Sequence, residues 1–274
     1  MFKTLFFAKG QKKFSFFLAD IYIMPKRLYP SLVKRIKSEH RNHLEEKMVN
    51  SGAHEMKKIC EDLEHRYHVT GKDLMGLGTS CIALKYGRDE VIKVCSKHIK
   101  YFHCSKTTSA RDFQKNMKPL QPELLPMKDI IYDGKDFFVY VQDRCQPLSK
   151  KSKISRRDFA DIIGIIQAIF SQGLLVGQLK PKNLGYWSSQ GERRQLVLFD
   201  YHSMHNLHDR MKSKTQWWHS LDKSLEYYCR SFSKGKTSSL EKFRQYIRTV
   251  KSKDYDREKV NHLLDKAQEE VLSH

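Results

Sequence analysis

Apolar residues recur with the period of a helix in the early part of the chain. Between residues 26 and 67 they alternate with charged residues at helical spacing, which predicts one or two amphipathic helices. The positions expected to face a core are Leu32, Val33, Ile36, Met56, Ile59, Cys60 and Leu63. Asn50, Ser51 and Gly52 interrupt the run and favour a turn between two helices. We therefore expect a helical extension ahead of the main domain.

From Lys72 onward the spacing becomes that of β-strands. Residues 82–86 and 91–94 are mainly apolar and flank a turn that contains glycine, so we expect them to form a β-hairpin. The same arrangement recurs at residues 129–132 and 137–142, on either side of an Asp-Gly turn. This part of the chain is therefore predicted to be rich in β-structure.

The second half of the chain has mainly helical spacing. Residues 158–171 are apolar almost throughout, which predicts a buried helix that ends before Gly173. Residues 184–187 and 195–199 predict two short strands around a polar turn. The apolar positions expected to pack the following helices are Trp217, Trp218, Leu221, Leu225, Tyr228, Phe243, Tyr246, Ile247, Val250, Val260, Leu263 and Leu264. Together these patterns predict a protein of the α+β class.

Composition adds a strong basic bias to this picture. The 274 residues are 39% hydrophobic and 11% aromatic, which is enough for a sizeable core. Lysine and arginine number 51 against 31 acidic residues, a formal net charge of +20. This excess predicts an acidic partner, and a nucleotide, a nucleic acid, an anionic lipid or an acidic protein would each satisfy it.

The cysteines and the amino-terminal segment bear on location. The six cysteines are scattered without a C-x-x-C pair, and several lie in apolar runs, so we expect reduced thiols in the cytoplasm. Residues 1–24 contain apolar patches flanked by lysines, but the longer patch includes Asp20 and is too short to span a bilayer. No transmembrane segment is predicted. We expect this aromatic segment to pack on the domain, with contact to a membrane surface as the alternative.

A candidate site lies in residues 177–185, which read Gly-Gln-Leu-Lys-Pro-Lys-Asn-Leu-Gly and precede a predicted hairpin that leads to Asp200. This order resembles that of the protein kinase-like superfamily, in which H-R-D-L-K-P-x-N is followed by a short hairpin and D-F-G. The resemblance implies that Asn183 and Asp200 hold Mg²⁺ against the phosphates of ATP. It also implies that the ammonium group of Lys180 steadies the phosphoryl group during transfer.

Gln178 departs from that pattern, because it occupies the place of the catalytic Asp that accepts the proton of the substrate hydroxyl. A glutamine amide can orient a hydroxyl, but it cannot act as a base near neutral pH. Val176 and Gly177 replace the His and Arg of the motif, and Tyr201 replaces the Phe after Asp200. The resemblance therefore implies a nucleotide site without its usual base.

Two earlier motifs extend the resemblance. Gly76 and Gly78 resemble the start of the glycine-rich loop G-x-G-x-x-G-x-V, with Cys81 in place of the third Gly and Ala83 in place of the Val. Lys93 stands where the V-A-I-K lysine would pair with the α- and β-phosphates. A lysine inside an apolar strand costs desolvation unless it meets an anion, which also favours a phosphate role.

The resemblance assigns two further parts of the site. Kinases fix the strand lysine with an acidic residue of the next helix, and Asp112 is the candidate because it lies in the predicted helix at residues 109–117. Residues 142–148 would form the hinge, whose backbone groups bind adenine. Such backbone recognition prescribes no particular side chain, so the hinge carries no motif.

The implied fold is a bilobal, kinase-like arrangement. It consists of an aromatic, basic and helical extension at residues 1–70, a β-rich small lobe with the hinge at residues 71–148, and a short helical large lobe at residues 149–274. No A-P-E motif follows Asp200, and the remaining chain is too short for a eukaryotic-type large lobe. The chain resembles smaller members of the superfamily, such as RIO, aminoglycoside, lipopolysaccharide and divergent viral or bacterial kinases.

Three functions stay open at this point. The first is a weakly active kinase that transfers the γ-phosphoryl group of ATP to a Ser/Thr hydroxyl of a protein, supported by Lys93, Lys180, Asn183 and Asp200. The second is a nucleotide-binding pseudokinase that regulates a protein partner, supported by Gln178 and by the missing A-P-E motif. The third is a basic protein that binds nucleic acid or a membrane surface, supported by the net charge of +20.

Overall fold

A computed structural model describes residues 27–39, 52–78, 81–97, 109–149, 153–176, 179–188, 194–200, 204–207, 216–231, 237–250 and 255–273. The chain forms two compact units, Met1–Tyr86 and Gly87–His274. The three-part division drawn from the sequence stays a prediction. Residues 1–24, for which packing or membrane contact was expected, lie outside the described residues. Within the described part, no helix is both long and apolar enough to cross a membrane.

The described part of the first unit contains the two predicted helices. They are α1 (Leu28–Ser38) and α2 (Ala53–Tyr67), which pack against each other through their apolar faces. The buried side chains are Leu28, Leu32, Ile36, Met56, Ile59, Cys60 and Leu63. Val33, predicted for the core, is only partly buried. The predicted amphipathic spacing is thus confirmed at nearly every position.

The glycine-rich segment forms a hairpin in the first unit. Strand β1 (Leu74–Leu77) pairs antiparallel with β2 (Cys81–Tyr86), and Leu77 lies opposite Ile82. The backbone N–H of Gly78 donates to the carbonyl oxygen of Cys81 at 2.7 Å and closes the turn. A Cβ on Gly78 would lie 3.2 Å from that oxygen, so this turn favours glycine.

The second unit contains an antiparallel arrangement of three strands. Strand β5 (Phe137–Asp143) pairs on one side with β3 (Glu90–Ser96) and on the other with β4 (Met127–Asp133). The predicted hairpin at residues 129–142 is confirmed, with longer strands than predicted. β5 is buried along almost its whole length, which accounts for its nearly continuous apolar sequence.

Helix α3 (Ala110–Met117) packs on β4 of this unit. Its aromatic anchor is Phe113, whose ring contacts that of Phe138 edge to face, with centroids 5.7 Å apart. Ser109 caps its start, because the Ser109 side chain accepts the backbone N–H of Asp112, and the predicted helix is confirmed.

The predicted buried helix is α4 (Arg156–Ser171). It starts two residues before the predicted boundary, because Ser155 and Asp158 form a capping box that satisfies the first backbone N–H groups. Gly173, with a φ of +68°, follows its end and provides the left-handed conformation that favours glycine. The last helix of the chain, α7 (Arg257–Ser273), packs along α4.

Short strands around α4 make two small antiparallel sheets. β6 (Gln146–Pro147), β8 (Leu184–Trp187) and β9 (Gln195–Leu198) form one of them, in the order β6-β8-β9. β7 (Leu174–Val176) and β10 (Met204–Asn206) form the other. The hairpin of β8 and β9 was predicted, whereas the pairings of β6 and of β7 with β10 were not.

The carboxyl-terminal part of the described chain is helical, as predicted. Helices α5 (Gln216–Ser231) and α6 (Ser238–Thr249) precede α7. The buried apolar side chains of the three helices include Leu221, Leu225, Tyr228, Phe243, Ile247, Val260 and Leu264. Val250 is the residue after α6 rather than part of it, and Leu263 is partly buried.

A buried ion-pair cluster joins α5 to α6. Arg244 Nε donates to Asp222 Oδ1 at 2.8 Å, and the two side chains are only 6% and 10% exposed. Arg248, which is half-exposed, donates to the same carboxylate from Nε at 2.9 Å.

The helices and strands of the two units confirm the predicted α+β class. The bilobal kinase-like arrangement stays a prediction.

The cysteines differ from the prediction in part. Cys60 and Cys229 are buried free thiols, and Cys145 is a free, partly buried thiol. Cys81 and Cys95 are disulfide-bonded, so the prediction of reduced thiols is wrong for these two. The spacing of cysteines along a chain does not show which side chains lie within bonding distance after folding, which is why the sequence missed them.

Candidate functional site

Lys93 lies in the middle of β3 and is buried, with 7% of its surface exposed. Its Nζ donates to the carbonyl oxygen of Phe199 at 2.5 Å, across 106 positions of sequence. The same ammonium lies 5.4 Å from the centroid of the Phe199 ring. Burial lowers the pKa of Lys93, and the negative charge of Asp200 opposes this effect. The structure therefore brings Lys93 to the segment that carries Asp200.

The β8–β9 hairpin brings Asn183 to the same place. Leu184 and Leu198 are paired, and the next residue, Phe199, donates its backbone N–H to the carbonyl oxygen of Asn183 at 3.0 Å. Asn183 and Asp200 therefore lie at the same open end of the hairpin. Asn183 is buried and ends a short 3₁₀ turn that begins at Pro181. The turn is closed by the Asn183 N–H, which donates to the carbonyl oxygen of Lys180 at 2.9 Å.

Phe199 thus connects three of the predicted site residues. Its carbonyl oxygen accepts from Lys93, its N–H donates to Asn183, and Asp200 is its neighbour in the chain. Sequence analysis did not single out Phe199, because its contribution is made by backbone atoms. The only sequence signal for it was its position directly before the predicted aspartate.

The resulting group contains the kinds of side chain that could hold phosphate and magnesium. An ammonium can contact phosphate oxygens, and amide and carboxylate oxygens are the donors that Mg²⁺ prefers. Among the described residues, no group of three or more His, Cys, Asp and Glu side chains could hold a metal ion. Magnesium in nucleotide sites needs no such cluster, since one or two protein ligands combine with phosphate oxygens and water. The donor set of Asn183 and Asp200 fits that kind of site.

The other predicted site residues have separate positions. Lys180 is exposed and lies just before the turn that ends at Asn183. Gln178 lies outside the described residues, as does Tyr201. Gly76 and Gly78 belong to the hairpin of the first unit.

Asp112 has a local partner in the structure. The Ser109 hydroxyl donates to the Asp112 carboxylate at 2.8 Å, while the Asp112 N–H donates to the Ser109 hydroxyl oxygen at 3.1 Å. The Ser109 hydroxyl therefore caps the start of α3, and the exposed carboxylate of Asp112 accepts the hydrogen bond of that hydroxyl. The carboxylate that acts on the pKa of Lys93 is that of Asp200, and the role of Asp112 as a partner of Lys93 stays a prediction.

The predicted hinge is tied to both neighbouring sheets. Gln142 is buried, and its side-chain amide donates to the carbonyl oxygen of Leu125 at 3.1 Å. The backbone N–H of Leu148 donates to the carbonyl oxygen of Leu184 at 2.8 Å. The second bond holds the end of the segment against β8, at the residue directly after Asn183.

Cys145 and Gly185 make a close contact beside Lys93. Burial raises the pKa of Cys145 to about 11, and the positive charge of Lys93 opposes that shift. A Cβ on Gly185 would lie 2.6 Å from the sulfur of Cys145 and 3.0 Å from the carbonyl oxygen of Gln146. Only a glycine lets β8 approach the hinge this closely. A glycine inside a predicted strand was the signal that could have identified this contact.

Carboxylates of the surrounding elements hold the hairpin. The backbone N–H of Leu196 donates to Asp161 at 3.0 Å, and the Tyr186 hydroxyl donates to Asp158 at 3.1 Å. Burial raises the pKa of Asp161 and raises that of Tyr186 to about 12, so the tyrosine stays a hydrogen-bond donor at neutral pH. Both aspartates belong to α4, which therefore orients the β8–β9 hairpin.

No protein-family model matches the chain, and no curated protein sequence matches it. The functional proposal therefore rests on the motifs of the sequence and on the geometry of these residues.

Proposed function

We propose that this chain is a kinase-like phosphotransferase that binds ATP with Mg²⁺ and transfers the γ-phosphoryl group to a Ser/Thr hydroxyl of a protein. One observation carries the proposal. The buried ammonium of Lys93 is hydrogen-bonded to the residue before Asp200, and the N–H of that same residue is bonded to Asn183. Two residues that the kinase motifs select, Lys93 and Asn183, thus share Phe199 as a backbone partner, and the third, Asp200, follows it in the chain.

The burial of Lys93 supports a phosphate role. Placing an ammonium in a buried strand has a free-energy cost, seen here as the lowered pKa of Lys93, and nearby negative charge offsets that cost. Asp200 supplies part of this charge in the protein alone. The α- and β-phosphates of ATP would supply the rest, so Lys93 is suited to bind them.

Each remaining residue has a role in this proposal. Asn183 and Asp200 would hold the magnesium ion, which neutralises charge on the phosphates when bound. Lys180, exposed beside the turn, would stabilise the negative charge of the phosphoryl group in transit. Gln178 would orient the acceptor hydroxyl without accepting its proton. Since positioning and charge stabilisation dominate this chemistry, we expect a rate reduced by about 10²–10⁴, rather than no transfer.

A pseudokinase is the second candidate, and Gln178 is the observation that favours it. A site that binds ATP and magnesium without a base would serve as a ligand-controlled scaffold for a protein partner. It would bind nucleotide as the enzyme does, but it would transfer no phosphoryl group.

A thermal-shift titration with ATP and Mg²⁺ tests the site. Ligand that binds the folded protein raises its melting temperature, and the rise grows with ligand concentration. We expect a shift for the wild type and for Lys85→Ala, which removes an exposed lysine of β2, but none for Lys93→Ala or Asp200→Ala. No shift in the wild type at millimolar ATP, or an undiminished shift in both site variants, would refute the proposal.

Transfer of label then separates the two candidates. Incubation with γ-labelled ATP should label an added protein substrate or the chain itself, whereas α-labelled ATP should not. Binding without transfer would identify the pseudokinase.

A further inference from the structure

A surface groove of about 300 Å³ lies directly beside Lys180. One wall is formed by Leu179, Lys180 and Pro181, which lead into the turn that ends at Asn183. The other wall is formed by side chains of α5, namely Ser220, Lys223, Ser224 and Tyr227. The groove therefore adjoins the proposed site on the side of its exposed lysine.

The wall on α5 is a single helical face. Positions 220, 223, 224 and 227 follow the spacing of residues that share one side of a helix. A neighbouring face of the helix packs into the core through Leu221, Leu225 and Tyr228, which are fully buried. Core packing explains the apolar residues of that buried face. It does not explain why serine, lysine and tyrosine side chains line the groove.

The two walls are held together by a buried hydrogen bond. The hydroxyl of Tyr228 donates to the carbonyl oxygen of Leu179 at 2.8 Å. Burial raises the pKa of Tyr228, so this hydroxyl stays protonated and remains a donor. The ring of Tyr227 packs edge to face on that of Tyr228, with centroids 5.2 Å apart. The groove is thus preformed rather than assembled when something binds.

The charge of the groove is positive. Lys180 and Lys223 are both exposed, and neither makes an ion pair within the described part of the chain. None of the described residues that line the groove is acidic. Two ammonium groups that have no counter-charge among the described residues favour an anionic group in the groove.

The other lining groups suit a polypeptide. The hydroxyl of Ser224 donates to the carbonyl oxygen of Ser220 at 2.9 Å, which leaves its oxygen able to accept a backbone N–H. Tyr227 is 40% exposed and, with Pro181, offers an apolar surface for a side chain. A nucleic acid strand would instead need a longer track of cations along its phosphates than these two lysines provide.

We infer that this groove binds the acceptor of the phosphoryl group, as an acidic polypeptide segment whose carboxylate or phosphoryl side chains contact Lys180 and Lys223. The inference rests on the proposed function and names its substrate class. Lys223 is then a specificity-determining residue that does not contact the nucleotide. Lys180 faces both the acceptor and the transferred group.

Peptide binding measured without nucleotide tests the groove separately from the nucleotide site. The probes are short fluorescein-labelled peptides in which one serine is flanked by glutamates, by phosphoserines or by glutamines. Fluorescence anisotropy at low salt gives the dissociation constants for the wild type and for Lys223→Gln. Lys242→Gln, which removes an exposed lysine of α6 outside the groove, is the matched control.

We expect the glutamate peptide to bind more tightly than the glutamine peptide, and Lys223→Gln to weaken its binding about fivefold. Lys242→Gln should change it by less than about twofold. The phosphoserine peptide shows whether phosphoryl groups are preferred to carboxylates. Equal binding of the glutamate and glutamine peptides, or equal effects of the two substitutions, would overturn the inference. The inference would also be overturned if Lys223 were needed for binding single-stranded RNA or anionic vesicles while the peptides did not bind.

The two proposals fail in different ways. Lys223→Gln should leave the thermal shift by ATP and Mg²⁺ unchanged. Peptide binding that depends on Lys223 in a protein without that shift would support the groove and refute the nucleotide site. A normal shift with no preference for the acidic peptide would refute the groove alone.

Discussion

The side-chain nitrogen of Lys93 donates a hydrogen bond to the carbonyl oxygen of Phe199 at 2.5 Å, and this bond joins β3 to the end of the β8–β9 hairpin. Because Phe199 is next to Asp200, the bond brings a buried ammonium into the field of a carboxylate. The same residue donates its N–H to Asn183. A single backbone unit therefore sets the positions of the groups that we assign to nucleotide and magnesium.

Replacing Lys93 by methionine should change how stability depends on pH. Burial lowers the pKa of Lys93 in the folded protein, so the unfolded chain binds more protons between that value and the ordinary lysine pKa of about 10.4. The unfolding free energy of the wild type should therefore rise relative to that of Lys93→Met as the pH increases toward the ordinary lysine pKa. Urea denaturation from neutral to alkaline pH measures the difference. Lys85→Met, at an exposed site, is the control, and a pH-independent difference would contradict the expectation.

Restoring a carboxylate at position 178 should raise the rate of transfer. We expect Gln178→Asp to increase γ-phosphoryl transfer by as much as about 10²-fold, the usual contribution of a positioned base. The affinity for ATP should stay nearly unchanged, because the residue is expected to face the acceptor. Gln178→Glu is the control for the position of the carboxylate. A wild-type rate of about 1–100 per second that falls on substitution would mean that Gln178 has another role.

Adding a methyl group at Gly185 should destabilise the second unit. In Gly185→Ala the new Cβ would lie 2.6 Å from the sulfur of Cys145, so we expect a loss of about 1–3 kcal/mol in the free energy of unfolding. Gly76→Ala is the control, since nothing lies within 4 Å of a Cβ there. Chemical denaturation measures both variants.

Cys145→Ala should recover part of the loss caused by Gly185→Ala. It removes the sulfur, but the Cβ of residue 145 and the carbonyl oxygen of Gln146 stay at 3.2 and 3.0 Å. Strictly additive effects in the double variant would show that the contact with Cys145 is not the cause of the strain.

Replacing the two arginines of the ion-pair cluster between α5 and α6 should lower the free energy of unfolding by unequal amounts. Arg244 is buried with Asp222, so Arg244→Ala leaves a buried carboxylate with one partner fewer and should cost about 3–5 kcal/mol. Arg248 is 49% exposed, and Arg248→Ala should cost no more than about 1 kcal/mol. Urea denaturation compares the two variants, and equal losses would contradict this assignment.

The net charge of +20 should by itself give only weak, salt-sensitive binding to polyanions. We expect retention on RNA, DNA and anionic vesicles at low salt that is largely lost at physiological salt, because the binding comes from ion release. Asp200→Ala should not alter it. Retention that persists at physiological salt would favour the nucleic-acid or membrane-surface alternative over the phosphotransferase.

The sequence by itself determined the elements whose signal is local. Periodic apolar spacing predicted α2 and α4, and the four positions from Met56 to Leu63 that it assigned to the core are buried. It predicted β8 to the residue, because turn residues bound that strand on both sides. From the order of the kinase-like motifs along the chain, the sequence also predicted that Lys93, Asn183 and Asp200 belong to one site.

Tertiary structure alone decided which groups meet across long separations in the chain. The pairing of β7 with β10 and the bond from Tyr228 to Leu179 join short segments whose local sequence carries no signal of each other. The same holds for Phe199, whose backbone atoms connect the site. Such contacts form only when packing brings two distant segments within hydrogen-bonding distance. The residue types of either segment, taken alone, do not indicate that distance.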